Sequence, residues 1–254
     1  MREALNLDYS LLIPEYLLGG LAVLIIVVDL MLPKVQKQAL PIIAALGLIG
    51  IFIVSLAGYV DTTDNFAGLI LIDDYTTFFR CFFVATTFAV VIASAQFVQE
   101  KLRNPGEYYA LLVLSTAGAS VMASANELLT AYIGLELLSF SLYVLVSYAK
   151  TELRSNEAGM KYMLLGAFAS ALLLYGISFI YGTSGSTTYT EISAAFESGT
   201  GDFTLGTLIG LTLVIAGLGF KVAAVPFHMW TPDAYEGAPL PITAYLSATS
   251  KAAG

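Results

Sequence analysis

Three ionisable side chains stand inside stretches otherwise built from apolar residues. Glu136 lies in GLELLSFSLYVL, Lys221 in AGLGFKVAAVPFHMW and Lys251 in TAYLSATSKAAG. A charged group at membrane depth costs about 2.5–3.5 kcal/mol on insertion scales, and chains keep such groups mainly where they pair or line an ion path. A carboxylate and two amines at that depth suit one kind of chemistry, the movement of a proton or ion.

Glu136 falls about nine residues into its apolar run, near mid-membrane at about 1.5 Å per residue. Tyr132, Glu136, Ser139 and Tyr143 recur at i, i+4, i+7 and i+11, so they form one polar stripe on a Leu-, Val- and Phe-rich helix. The plainer alternative is a structural ion pair that holds two helices together. Lys221 sits between Gly219 and Pro226. Proline lacks an N–H and its ring clashes with the preceding turn, so the helix is expected to break near Val222. Broken helices inside membranes mark ion and substrate sites of transporters. Snorkelling of Lys221 to the interface is the competing reading. Lys251 follows Pro241 by ten residues and shares a face with Thr243 and Ser247 at i, i+4 and i+8. A buried amine of this kind exchanges its proton readily.

Two further groups are weaker candidates. His228, beyond the break, is able to relay protons or to pack at the interface beside Phe227 and Trp230. Lys161, in EAGMKYMLLGAF, is either part of the path or a lysine that sets topology. Asp29 and Arg80 are expected at the interfaces.

Placing these groups requires helices that span hydrocarbon, each about 20 apolar residues long. Eight runs qualify, at 16–32, 39–59, 76–98, 108–124, 127–148, 158–181, from 204 towards Pro226, and from Pro241 on. Runs of this length select helices rather than barrel strands. The chain therefore reads as an all-α polytopic membrane protein. A short helix is expected at Tyr189–Glu197, in the long Gly/Ser/Thr-rich connection. Basic connections carry Lys34 and Lys37, Lys101 and Arg103, Lys150 and Arg154; the alternate ones carry Asp61 and Asp64, then Glu191, Glu197 and Asp202. The positive-inside rule places the basic loops in the cytoplasm and the N-terminus outside. The first run is expected to remain as an anchor, because no small-residue cleavage site follows it. Gly254 falls within an apolar run, so the chain is expected to be the N-terminal part of a longer membrane protein.

Composition agrees. Of 254 residues, 57% are hydrophobic and 12% charged, against about 25% charged in soluble domains; mean hydropathy is +0.80. A formal charge of −8 without a basic tract argues against nucleic-acid binding. One cysteine, Cys81, excludes an internal disulfide, and one histidine makes a metal site unexpected. No phosphate-binding loop, zinc motif or nucleophile triad is present.

The runs GLELLSFSLYVLVSY, EAGMKYMLLGAFASALLLYG and GFKVAAVPFHMWTPDAYEGAPLPITAYLSATSKAAG resemble the antiporter-like membrane subunits of proton-pumping NADH–quinone oxidoreductase, respiratory complex I, and among them the subunit N family. The resemblance implies a fold of fourteen transmembrane helices with two inverted five-helix repeats, each with one broken helix. Residues 1–104 would hold helices 1–3 and residues 105–254 the first repeat, helices 4–8. The family's span-5 glutamate falls on Glu136, its broken-helix lysine on Lys221 and its span-8 lysine on Lys251. Relatives among the multisubunit cation/proton antiporters carry a histidine at that last place. The implied function is proton translocation in a multi-pass protein of the bacterial plasma membrane. Its implied partners are the other complex I membrane subunits, lipid, water and protons. No cofactor is expected on this chain; NADH, FMN, iron–sulfur clusters and quinone would be bound elsewhere in the complex. Other readings are a cation/proton antiporter subunit, or a membrane scaffold without transport.

Overall fold

The computed structural model describes residues 8–58, 64–197 and 204–254. Asp61 and Asp202 lie outside them. Eleven α-helices are seen among the described residues. α1 (Ile13–Met31), α2 (Leu40–Ala57), α3 (Asp74–Lys101), α4 (Pro105–Ser124), α5 (Leu128–Val146) and α6 (Leu153–Ser184) are the long ones. The short α7 (Tyr189–Glu197) leads to α8 (Leu205–Lys221). Beyond a break come α9 (Thr231–Gly237) and then α10 (Leu240–Tyr245), which runs through a π-helical turn (Leu246–Ser250) into α11 (Lys251–Ala253).

Local chemistry sets the helix ends. Prolines occupy the first turns of α1, α2 and α4, where the missing N–H costs nothing. Asp73 caps α3 by accepting from Thr76 N at 2.8 Å, and Lys101 stands in its last turn, each charge matched to the helix dipole. Gly185, at φ 79°, ends α6 in the left-handed conformation.

Five segments among the described residues are long and apolar enough to cross a membrane: Tyr9–Met31, Lys37–Ala57, Asp74–Lys101, Leu128–Val146 and Leu153–Ser184. The other two segments expected to span before the break are helical but differ. α8 has 17 residues. α4 carries the small, polar run STAGAS, which is buried throughout, against α1, α3 and α5. Small residues suit that central place, because helices in lipid associate by close backbone packing. A Cβ on Gly118 of α4 would stand 2.5 Å from Leu138 N and 2.7 Å from Gly134 O of α5, so glycine is required there.

The connection after α2 holds one departure from an all-helical chain. Strands β1 (Asp64–Phe66) and β2 (Ile70–Ile72) pair antiparallel, with Phe66 opposite Ile70, around Ala67 and Gly68 at positive φ. Bridges Ile70–Ala125 and Glu127–Thr188 gather this hairpin, the α4–α5 turn and the start of the α6–α8 connection at one end of the bundle. At the other end Tyr148, after α5, donates to Asn104 O, before α4, at 2.7 Å. The acidic and basic connections therefore segregate to opposite ends, as the alternation in the sequence requires.

Candidate functional site

The polar stripe of α5 meets the end of α8. Lys221 is the last residue of α8 and is only 6% exposed. Its Nζ donates to Ser139 Oγ at 2.8 Å and to Tyr143 OH at 3.1 Å, and stands 5.5 Å from the centroid of the Tyr143 ring. Snorkelling is excluded by this burial. Gly166 of α6 makes room for the Tyr143 hydroxyl, which a Cβ at that position would strike.

The break that holds Lys221 is built from the last carbonyls of α8. Val222 N still reaches Leu218 O at 3.1 Å, and the helix then stops one turn before Pro226. Ala223 takes a positive φ of 59°, a conformation that costs a non-glycine residue on the order of 1 kcal/mol or more. The orphaned carbonyls find donors: Gly219 O accepts from Ala224 N at 2.8 Å, and Phe220 O from Ala223 N at 3.1 Å and from Trp230 Nε1 at 2.8 Å. The only tryptophan of the chain thus ties the segment beyond the break to the residue before Lys221.

Glu136 is half-buried one turn before Ser139, and its Oε1 is buried without a hydrogen-bond partner among the described residues. It forms no direct ion pair with Lys221 among the described residues, although the two are close enough to interact electrostatically. Lys221 instead meets two neutral hydroxyls on the same stripe.

Lys251 lies on the continuation of α10. Thr243 Oγ1 donates to Tyr235 O at 3.1 Å and Ser247 Oγ to Ala244 O at 2.8 Å. The π-helical turn Leu246–Ser250, which contains Ser247, shifts the register ahead of Lys251. Lys251 is exposed, and its Nζ stands 5.5 Å from the centroid of the Tyr235 ring. A row of rings joins the two lysines. Tyr143 meets Tyr162 edge-on at 4.7 Å, Tyr162 stacks on Trp230 at 4.6 Å, and Trp230 meets Tyr235 at 6.2 Å. The sequence gives no periodic signal for this row, because its rings come from α5, α6, the Phe227–Trp230 turn and α9.

The weaker candidates lie apart. His228 is exposed on the turn Phe227–Trp230. Lys161 is half-buried and pairs with Glu157 at 2.8 Å and Asp233 at 3.2 Å, joining α6 to α9. Arg80 is buried inside the bundle, near the start of α3. It is 5% exposed, and its Nε and Nη2 each lie 2.8 Å from Glu15 Oε1, which also accepts from Ser120 Oγ at 2.6 Å. Glu15 was missed because it reads as a polar flank ahead of the first run. Asp29 pairs with Lys37 at 2.8 Å near the end of α1. Among the described residues no group of three or more His, Cys, Asp or Glu side chains is placed to hold a metal ion.

Residues 125–254, which include Glu136, Lys221 and Lys251, match the family described as NADH:quinone oxidoreductase/Mrp antiporter, transmembrane. The chain is 39% identical to NADH-quinone oxidoreductase subunit N of Trichlorobacter lovleyi, over 98% of this chain and 51% of that protein. It is 41% identical to the subunit of the same name from Heliobacterium modesticaldum, over 98% and 52%. The chain spans about half the length of the curated relatives it matches. Among solved structures, a chain of Thermus thermophilus respiratory complex I superposes with a TM-score of 0.79 at 29% identity, covering 95% of this chain and 51% of the other. A chain of the archaeal membrane-bound sulfane sulfur reductase shares the fold, with a TM-score of 0.73 at 24% identity over 94% and 51%.

Proposed function

Because the chain belongs to the NADH:quinone oxidoreductase/Mrp antiporter transmembrane family, we propose that it is a proton-translocating membrane subunit of an NADH–quinone oxidoreductase. One observation carries the reading: a buried ammonium, Lys221, is held at a helix break by two neutral hydroxyls, with the unpaired Glu136 carboxylate nearby. A lysine met by a carboxylate would keep its proton. One met by hydroxyls is free to give it up, and its hold on the proton follows the position of Glu136 through Coulomb coupling in low dielectric.

In this reading Glu136 and Lys221 load and release the proton, which passes towards Lys251. The exposed His228 and the half-buried Lys161 are read as standing near the mouth of the path rather than in its buried part. The chain itself does no redox chemistry; NADH, FMN, iron–sulfur clusters and quinone belong to partner subunits. Residues 1–104 and 105–254 are read as the N-terminal helices and the first inverted repeat of a fourteen-helix subunit. That subunit spans the bacterial plasma membrane eight times up to Gly254, with its N-terminus outside. The family also embraces cation/proton antiporters, and Lys251 in SATSKAAG favours the oxidoreductase side.

Glu136→Gln in the complete complex, reconstituted in vesicles, tests the role. Assembly is expected to be normal, while proton uptake and coupled NADH oxidation fall at least about tenfold, as when a proton-transfer group is removed. An unchanged proton-to-electron ratio and turnover would overturn the role. Sodium-dependent transport would move the chain to the antiporter side.

A further inference from the structure

A cavity of about 480 Å³ opens between the α3–α4 and α5–α6 connections, lined by Lys101, Arg103, Asn104, Tyr148, Lys150 and their neighbours. We propose that it binds the phosphodiester headgroup of an anionic phospholipid. The inference does not depend on the proton-transfer reading, only on the chain's place in a membrane.

Charge is the first ground. Lys101, Arg103 and Lys150 are exposed and form no ion pair among the described residues. Of the carboxylates on these connections, Glu107 and Glu100 form no ion pair with the three cations among the described residues. Glu107 accepts from Asn104 Nδ2 at 3.1 Å and from Tyr148 OH at 3.3 Å, and Glu100 accepts from Gln96 Nε2 at 2.9 Å. Three cations around one concavity match a phosphate better than any neutral group does.

The cavity is also built rather than accidental. Tyr148 is 6% exposed and its hydroxyl, donating to Asn104 O at 2.7 Å, ties one connection to the other. Burial, and then Glu107, push this phenol above its ordinary range, so it stays a neutral donor. Asn156 Nδ2 fixes the Lys150 carbonyl at 3.0 Å.

Position selects a lipid as the source of the phosphate. The cavity lies where α3 and α5 end and α4 and α6 begin, and three of these four are long apolar segments. Headgroups of a surrounding bilayer sit at that level, where basic pockets between helices hold anionic lipids. A second cavity of about 310 Å³ shares Leu102 and Arg103, adds Pro41, Val98 and Pro105, and carries Lys37. It supplies an apolar wall beside the headgroup, which a free phosphate would not use.

The full-length protein in its assembled complex, in detergent, is to be titrated with phosphatidylglycerol, with phosphatidylcholine and with inorganic phosphate, and retained lipid read by native mass spectrometry. The parent complex is expected to retain phosphatidylglycerol over phosphatidylcholine, and inorganic phosphate should not displace it. Each cation removed is expected to weaken retention on the order of fivefold, so the combination Lys101→Gln, Arg103→Gln and Lys150→Gln should abolish it with assembly unchanged on native gels. Arg103→Lys should retain most binding, as a check that the loop is intact. Equal retention by the triple variant and the parent overturns the proposal. So does displacement by inorganic phosphate, or a crosslink from this rim to a neighbouring subunit in place of lipid.

Discussion

Two buried cations of the bundle keep different company. Arg80 of α3 meets the Glu15 carboxylate directly, with Ser120 completing the contact. Among the described residues Lys221 of α8 donates to the hydroxyls of Ser139 and Tyr143, and the Glu136 carboxylate, which acts on it electrostatically, is left without a hydrogen bond on Oε1. The first arrangement neutralises both charges and uses a guanidinium, which does not lose its proton in proteins. It ties α1 to α3 and α4 and has one stable state. The second leaves charge only partly satisfied and uses an amine, whose proton is exchangeable. It sits at the end of α8, at a helix break. Burial alone therefore does not identify a working charge; the identity of its partner does.

The sharpest break of this contrast is Arg80→Met. Removing one member of a buried pair costs about 3–5 kcal/mol, so the complex should fail to assemble or dissociate at clearly lower temperature on native gels. Pairing it with Glu15→Leu should restore most of the loss. A single variant as heat-resistant as the parent would show that the pair is not structural.

Lys221→Arg comes next. It keeps the charge and removes the releasable proton, so assembly should persist while proton uptake falls at least about tenfold. Recovery of pumping by arginine would mean that charge, not proton release, matters at this position. Tyr143→Phe removes one of the two hydroxyls that hold the ammonium and should slow turnover roughly fivefold, the size of one hydrogen bond. No change in turnover or pumping would leave Ser139 as the sole support. The smallest effect is expected for Lys161→Ala, whose partners Glu157 and Asp233 are themselves exposed. Exposed pairs contribute little, and turnover should stay within about twofold. A large loss there would move Lys161 from the rim into the path.

Much of this contrast is absent from the primary structure. Glu136, Lys221 and the break before Pro226 stand out because apolar surroundings make each conspicuous. The stripe Tyr132, Glu136, Ser139, Tyr143 follows from helical spacing alone, and α5 does present Ser139 and Tyr143 to α8. Glu15 and Arg80 went unseen as partners because 65 residues separate them. The face shared by Thr243, Ser247 and Lys251 at regular helical spacing is disturbed by the π-helical turn Leu246–Ser250, which contains Ser247. A regular period cannot anticipate an inserted turn.

The sequence by itself determined the helices, their order, the alternation of acidic and basic connections and the place of the break. Those follow from local hydropathy, proline geometry and charge, which act over a few residues. Only the tertiary structure decided which buried cation met a carboxylate and which met hydroxyls, and that an aromatic row joins Lys221 to Lys251. These contacts depend on which faces of distant helices touch, and in lipid that choice rests on backbone fit, such as Gly118 against Gly134, rather than on hydrophobicity shared by every face.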